Sequence, residues 1–70
     1  IAGWNMGYTE VVTRTGDGQS FWYFREGQLV AVDALDDARA YMVGKRLIEG
    51  GKAVSPAQVA EATDLKALMA

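Results

Sequence analysis

Few side chains in this sequence could do chemistry, because its 70 residues include no cysteine and no histidine. The chain therefore has no thiolate or imidazole to serve as a nucleophile, a metal ligand or a general base near neutral pH. Two adjacent carboxylates, Asp36 and Asp37, have the residue types of an acid–base pair. They also directly precede a helical pattern, so the preferred interpretation is that one of them caps that helix.

The serines and glycines do not form a recognisable catalytic or phosphate-binding pattern. Ser20 and Ser55 have no obvious base near them in the sequence, so a nucleophilic role is not expected. The glycines in GDG at 16–18 and EGG at 49–51 lack the spacing of a dinucleotide-binding loop or a P-loop, and are typical of a turn and a helix end. We therefore predict no catalytic, cofactor-binding or metal-binding residue in this chain and no enzyme activity for the chain alone.

The aromatic run at 21–24 and the net charge bear on two binding functions. Trp22, Tyr23 and Phe24 could stack on nucleic-acid bases or on a flavin ring. Core packing is the preferred interpretation, because large rings supply much of the buried area of a small core. The net charge of −2 also argues against a nucleic-acid partner, since nucleic-acid-binding domains are usually basic. No apolar run approaches the length of a membrane span, so we expect no membrane partner.

The basic residues are the more informative set, because they cluster along the chain. Four of the seven lie between positions 39 and 52, namely Arg39, Lys45, Arg46 and Lys52. A solvated helix face is the ordinary interpretation of such a cluster. The functional alternative is a docking patch for an acidic protein, since complementary charge raises the rate of association.

The pattern of elements predicts an α+β fold that begins with a three-stranded antiparallel meander. The expected strands are 9–15, 20–25 and 28–34, with a turn at 16–18 and a hairpin turn at Glu26-Gly27. That turn is either a two-residue loop or a type I turn with Gly27 in the left-handed position. One longer helix is expected over 37–49, ended by Gly50-Gly51. Short C-terminal helical turns follow, with Ser55-Pro56 and Asp64 as their expected starts.

The strands are apolar on both faces, which a lone hairpin sheet in water would not be. Phe21 and Tyr23 share one face, while Trp22 and Phe24 share the other. The helix can cover one face with a stripe made of Ala40, Tyr41, Gly44, Leu47 and Ile48. We expect an upstream strand, a neighbouring domain or a second copy of the chain to cover the other face. Self-association of the chain is therefore expected.

Several motifs in order point to a family: FREGQLVAVDAL, then ARAYMVGKRLIEGG, VSP and ATDLKAL. In this order and spacing they resemble the C-terminal domain of FAD-dependent ferredoxin reductases, of the putidaredoxin-reductase and dioxygenase-reductase type. The resemblance covers essentially the whole chain. It implies that residues 1–70 are a single domain and a fragment of a longer flavoenzyme.

The resemblance also implies a function for that parent enzyme. It would be a cytoplasmic oxidoreductase with an FAD domain and an NAD domain upstream, and it would pass electrons from NAD(P)H through FAD to an iron–sulfur ferredoxin. This domain would help to dock an acidic ferredoxin, and the candidate docking residues are Lys66, at the family's DLK position, with Arg39, Lys45 and Arg46. The alternative is a free-standing protein-interaction module without redox activity.

Overall fold

The computed structural model describes residues 7–69, and its architecture is the predicted α+β fold. Strands β1 (Glu10–Thr15), β2 (Gln19–Arg25) and β3 (Gln28–Leu35) form one antiparallel sheet in the order β1-β2-β3. Helices α1 (Ala38–Gly50) and α2 (Pro56–Glu61) follow, and a 3-10 helix (Leu65–Met69) ends the described chain. Residues 1–8, which are rich in glycine and aromatic side chains, are predicted from the sequence to form the end of an element and a loop, and they lie mostly outside the described residues.

The two turns of the meander need glycine for different reasons. Glu26 and Gly27 both have positive φ, 52° and 81°, so their turn is the two-residue hairpin loop rather than the type I alternative. In the first turn, a Cβ on Gly18 would collide with the backbone carbonyl of Asp36. Gly18 therefore lets the β1–β2 turn lie directly against the start of α1.

The core lies between the sheet and the helices, on the face that carries Trp22 and Phe24. Both rings have no exposed surface, and Val32 and Val43 are equally buried. A Cβ on Gly44 would lie 2.5 Å from Cγ1 of Val32, so glycine permits the close approach of α1 to β3. Gly44 is buried in α1, as its place in the predicted stripe requires.

The buried stripe of α1 is shifted from the predicted one. Val43 is fully buried, whereas the predicted Tyr41 and Ile48 are only half-buried at the flank of the helix. The reason is that α1 packs mainly over β3, the edge strand. Tyr41 and Ile48 therefore border the sheet instead of lying on it.

The predicted helix boundaries are confirmed by their caps. The Asp37 carboxylate accepts the Ala40 amide at 3.1 Å, and Gly51, with φ 69°, closes the other end of α1. Ser55 and Gln58 form a reciprocal capping box at α2. Asp64 accepts the Lys66 amide at 3.1 Å at the start of the last turn, which is a 3-10 helix.

Candidate functional site

The side chains considered for catalysis have structural partners. Ser20 is fully buried, and its Oγ accepts a hydrogen bond from Nε1 of Trp22 at 2.9 Å. The Ser55 Oγ accepts the amide of Gln58 at 3.1 Å. Within residues 7–69, no group of three acids or other ligands is close enough together to hold a metal ion.

The described glycines do not form a cradle for the diphosphate of FAD or NAD(P)H. Gly18 and Gly44 are packed against protein atoms, and Gly27 and Gly51 close a hairpin and a helix. A shallow depression of about 510 Å³ is lined by Ala34, Asp36, Asp37, Ala38 and Tyr41. Its two carboxylates would repel a diphosphate. Neither this depression nor Gly18, Gly27, Gly44 and Gly51 provides a cradle for a diphosphate.

The aromatic residues are divided between the two faces of the sheet. Trp22 and Phe24 are buried in the core, so neither ring is available to stack on a ligand. Phe21 and Tyr23 are half-buried on the other face, where the ring of Tyr8 lies 5.0 Å from that of Tyr23. The preferred interpretation, core packing, is confirmed for Trp22 and Phe24.

The predicted docking residues are all exposed, but α1 divides them between two flanks. At about 100° per residue, Arg39 and Arg46 lie only about 20° apart around the helix axis. Lys45 is about 100° away from Arg46 and lies nearer to Tyr41 and Ile48. Arg39 and Arg46 therefore form one basic ridge that does not include Lys45.

The neighbours of α1 show which way each flank faces. Tyr41 lines a depression with Ala34 of β3, and Ile48 lines a cavity of about 260 Å³ with Leu29 of β3. This flank therefore borders the outer edge of the sheet. The 3-10 helix packs against both α1 and α2, and α2 lies over β1. Arg39 and Arg46 consequently lie on the flank of α1 that faces the 3-10 helix.

Lys66 lies on that 3-10 helix and is exposed. We call Arg39, Arg46 and Lys66 the basic flank. Met42, whose side chain is 40% exposed, lies beside Arg39, Lys45 and Arg46 at helical spacings of three and four residues. The helical spacing thus places the three predicted docking residues of α1 around an exposed apolar side chain.

Arg14 is a structural residue that the sequence analysis missed. Its Nη1 donates a hydrogen bond of 2.7 Å to the carbonyl of Val59, which ties β1 to α2. Alternation along β1 places Arg14 on the same face as Val12, which packs against the core. A cation on the core face of a strand is the signal that could have identified this contact, because such a group needs a partner.

Comparison with known families agrees with this geometry. The family model described as "Reductase C-terminal" matches residues 1–69. No curated protein and no solved structure matches the chain. No helix in the part of the chain that the structure describes is long and apolar enough to cross a membrane. With almost its entire length matched, the chain belongs to the family of reductase C-terminal domains.

Proposed function

We propose that this chain is the ferredoxin-docking, C-terminal domain of a cytoplasmic, FAD-dependent oxidoreductase that passes electrons from NAD(P)H to an acidic iron–sulfur ferredoxin. The observation that carries the proposal is the basic flank, whose two arginines lie beside exposed Met42 on a domain of the reductase family. In this proposal FAD and NAD(P)H bind to other domains of the parent chain.

The dimensions of the basic flank suit a transient electron-transfer contact. Arg39 and Arg46 are seven residues apart, which corresponds to about 10 Å along the helix axis. That distance is comparable to the Debye length at physiological ionic strength, so the two charges and Lys66 attract a partner together. Transient redox complexes bury little surface, and a few cations around one apolar side chain are enough to orient such a partner.

The test is ferredoxin reduction by the full-length reductase with the three charges of the basic flank reversed, Arg39→Glu, Arg46→Glu and Lys66→Glu. We expect kcat/KM for ferredoxin to fall about tenfold or more at low salt, because rim charges act on association. At 1 M salt the two proteins should converge, since the Debye length is then about 3 Å. Reduction of ferricyanide by NAD(P)H, which needs no protein docking, should be unchanged.

Lys45→Glu is the matched control, because it reverses a cation of the same helix that lies about 100° around the helix axis from Arg46. Docking through the basic flank predicts a small effect of this change compared with Arg46→Glu. If Lys45→Glu lowers kcat/KM for ferredoxin as much as Arg46→Glu does, the ferredoxin also covers the side of α1 that carries Lys45. If neither the triple reversal nor Lys45→Glu alters the salt dependence, docking uses another surface.

The same proposal makes a prediction for the 70-residue chain alone. We expect it neither to bind FAD nor to oxidise NAD(P)H. Protein atoms occupy the space beside Gly18 and Gly44, so a diphosphate cannot bind against these glycines. Titration of the purified chain with FAD, followed by flavin fluorescence, tests this. A stoichiometric yellow complex would contradict it.

A further inference from the structure

Two tyrosine rings touch on the face of the sheet opposite the helices. The ring centroids of Tyr8 and Tyr23 are 5.0 Å apart, and the ring planes are tilted by 59°. Aromatic rings in contact have centroids about 4.5–7 Å apart, so this pair is at the close end of that range. Tyr8 is 57% exposed and Tyr23 is half-buried, so a small oxidant in solution can reach the pair.

The backbone beside Tyr8 is held to the end of β2. The Thr9 amide donates a hydrogen bond to the carbonyl of Phe24 at 2.8 Å, and the Glu26 amide donates one to Oγ1 of Thr9 at 3.1 Å. The next residue, Glu10, begins β1 and is paired with Phe24. The fold therefore keeps Tyr8 next to Tyr23, while the exposed ring of Tyr8 can still turn about its side-chain bonds.

Two phenol rings in contact can be joined by oxidation. A one-electron oxidant removes one electron from each ring, and each hydroxyl releases its proton to water, which leaves two tyrosyl radicals. The radicals couple through a bond between the carbons next to the two hydroxyl-bearing carbons. The hydrogens of the coupled carbons then move to the ring oxygens, so both rings become aromatic again. The product, dityrosine, has lost two electrons and two protons.

No thiol in this chain competes for the tyrosyl radicals. The sequence contains no cysteine, so the chain has no thiol that could reduce a radical before the rings couple. Neither phenolic hydroxyl has a hydrogen bond within residues 7–69, so both can release their protons to water. Contact, access and free hydroxyls thus occur together at this pair.

We propose that Tyr8 and Tyr23 form an oxidative modification site, at which a one-electron oxidant joins the two rings of one chain as dityrosine. The cross-link ties the residues before β1 to the middle of β2 and closes a loop of about 15 residues. This inference is independent of the ferredoxin proposal, which concerns the helical layer.

The test is oxidation of the dilute 70-residue chain by tris(bipyridyl)ruthenium(III), which light generates with persulfate as the final electron acceptor. We expect a monomer that has lost two hydrogen atoms and shows the fluorescence of dityrosine. Trypsin cuts after Arg14 and Arg25, so the digest should contain residues 1–14 joined to residues 15–25. The cross-linked monomer should melt about 10 °C or more above the unmodified chain, because the closed loop restricts the unfolded state.

Tyr8→Phe and Tyr23→Phe should each lower the dityrosine fluorescence of the monomer about tenfold or more, because coupling depends on two phenols held together. Tyr41→Phe is the matched control, since Tyr41 lies on α1 and its replacement should leave the fluorescence close to that of wild type. The same oxidation in urea should give much less of the joined peptides, because the unfolded chain no longer holds the two rings in contact.

Four results would overturn the proposal. The first is an oxidised monomer without the joined peptides, and the second is a cross-link that requires Tyr41. The third is an equal yield of the joined peptides in urea, which would mean that the fold does not bring the rings together. The fourth is a cross-linked monomer that melts below the unmodified chain, which would mean that the bond does not fit the folded state.

Discussion

Replacing Gly44 by alanine should destabilise the domain, although alanine is the better helix former. An added Cβ would lie 2.5, 2.8 and 2.9 Å from the Cγ1, Cβ and Cγ2 atoms of Val32. Valine is restricted at χ1 and cannot rotate away, so α1 would have to move off the sheet. Overpacking of this kind costs about 1–3 kcal/mol, and three close contacts place Gly44 near the upper value. The gain in helix propensity is about 1 kcal/mol, which leaves a net loss of about 2 kcal/mol.

The assay is thermal unfolding of Gly44→Ala with Gly50→Ala as the control. A loss of about 2 kcal/mol should lower the Tm by about 8–16 °C in a domain of this size. Gly50 is also helical, but a Cβ there would meet nothing within 4 Å, so its replacement should leave the Tm unchanged or raise it. In a Val32→Ala background the cost of Gly44→Ala should fall but not vanish, because the contacts with Cγ1 and Cγ2 are removed while the 2.8 Å contact with Cβ remains. A Tm for Gly44→Ala at or above that of wild type would refute the argument.

Three further substitutions test individual contacts by chemical denaturation. Ser20→Ala leaves Nε1 of the fully buried Trp22 without its hydrogen-bond acceptor and should lower the free energy of unfolding by about 1–3 kcal/mol. A decrease below about 0.5 kcal/mol would mean that the indole finds another partner. Arg14→Met removes the 2.7 Å hydrogen bond to the Val59 carbonyl and should lower the free energy of unfolding by about 1.5–3 kcal/mol. Hydrogen exchange should become faster only in α2 and the residues that it contacts. Faster exchange throughout the domain would contradict a local role for this bond. Ser55→Ala removes half of the capping box and should cost about 1 kcal/mol, with Ser55→Asp, which can still cap, close to wild type.

The elements that sequence reasoning predicted well are those set by local chemistry. The hairpin at Glu26-Gly27, the caps at Asp37 and Ser55 and the end of α1 at Gly51 each depend on residues within about one turn. The alternation that separates Trp22 from Tyr23 needs only the period of a strand. These features could be predicted because no distant residue decides them.

The features that could not be predicted depend on distant partners. Phe24 of β2 pairs with Leu29 of β3, but the preceding residue, Tyr23, pairs with Ala31, so Val30 is the extra residue of a β-bulge. No feature of the sequence indicates this bulge. The identity of Val43 as a core residue depends on α1 lying over the edge strand. The docking residues were predicted from charge alone. Their division between two flanks required knowledge of where the 3-10 helix packs.

The bond between Arg14 and Val59 also has a consequence for folding and exchange. It joins positions 45 residues apart, whereas the meander and α1 are built from contacts between neighbouring segments. Closing a long loop has an entropic cost, so we expect α2 and the 3-10 helix to open first in sub-global unfolding.

Lys66 lies on that opening part, while Arg39 and Arg46 lie on the part that stays folded. The basic flank is therefore complete only in the closed state. A protein that bound Lys66 and Arg39 together would select the closed state, so its binding would slow hydrogen exchange throughout α2, a segment that it need not touch.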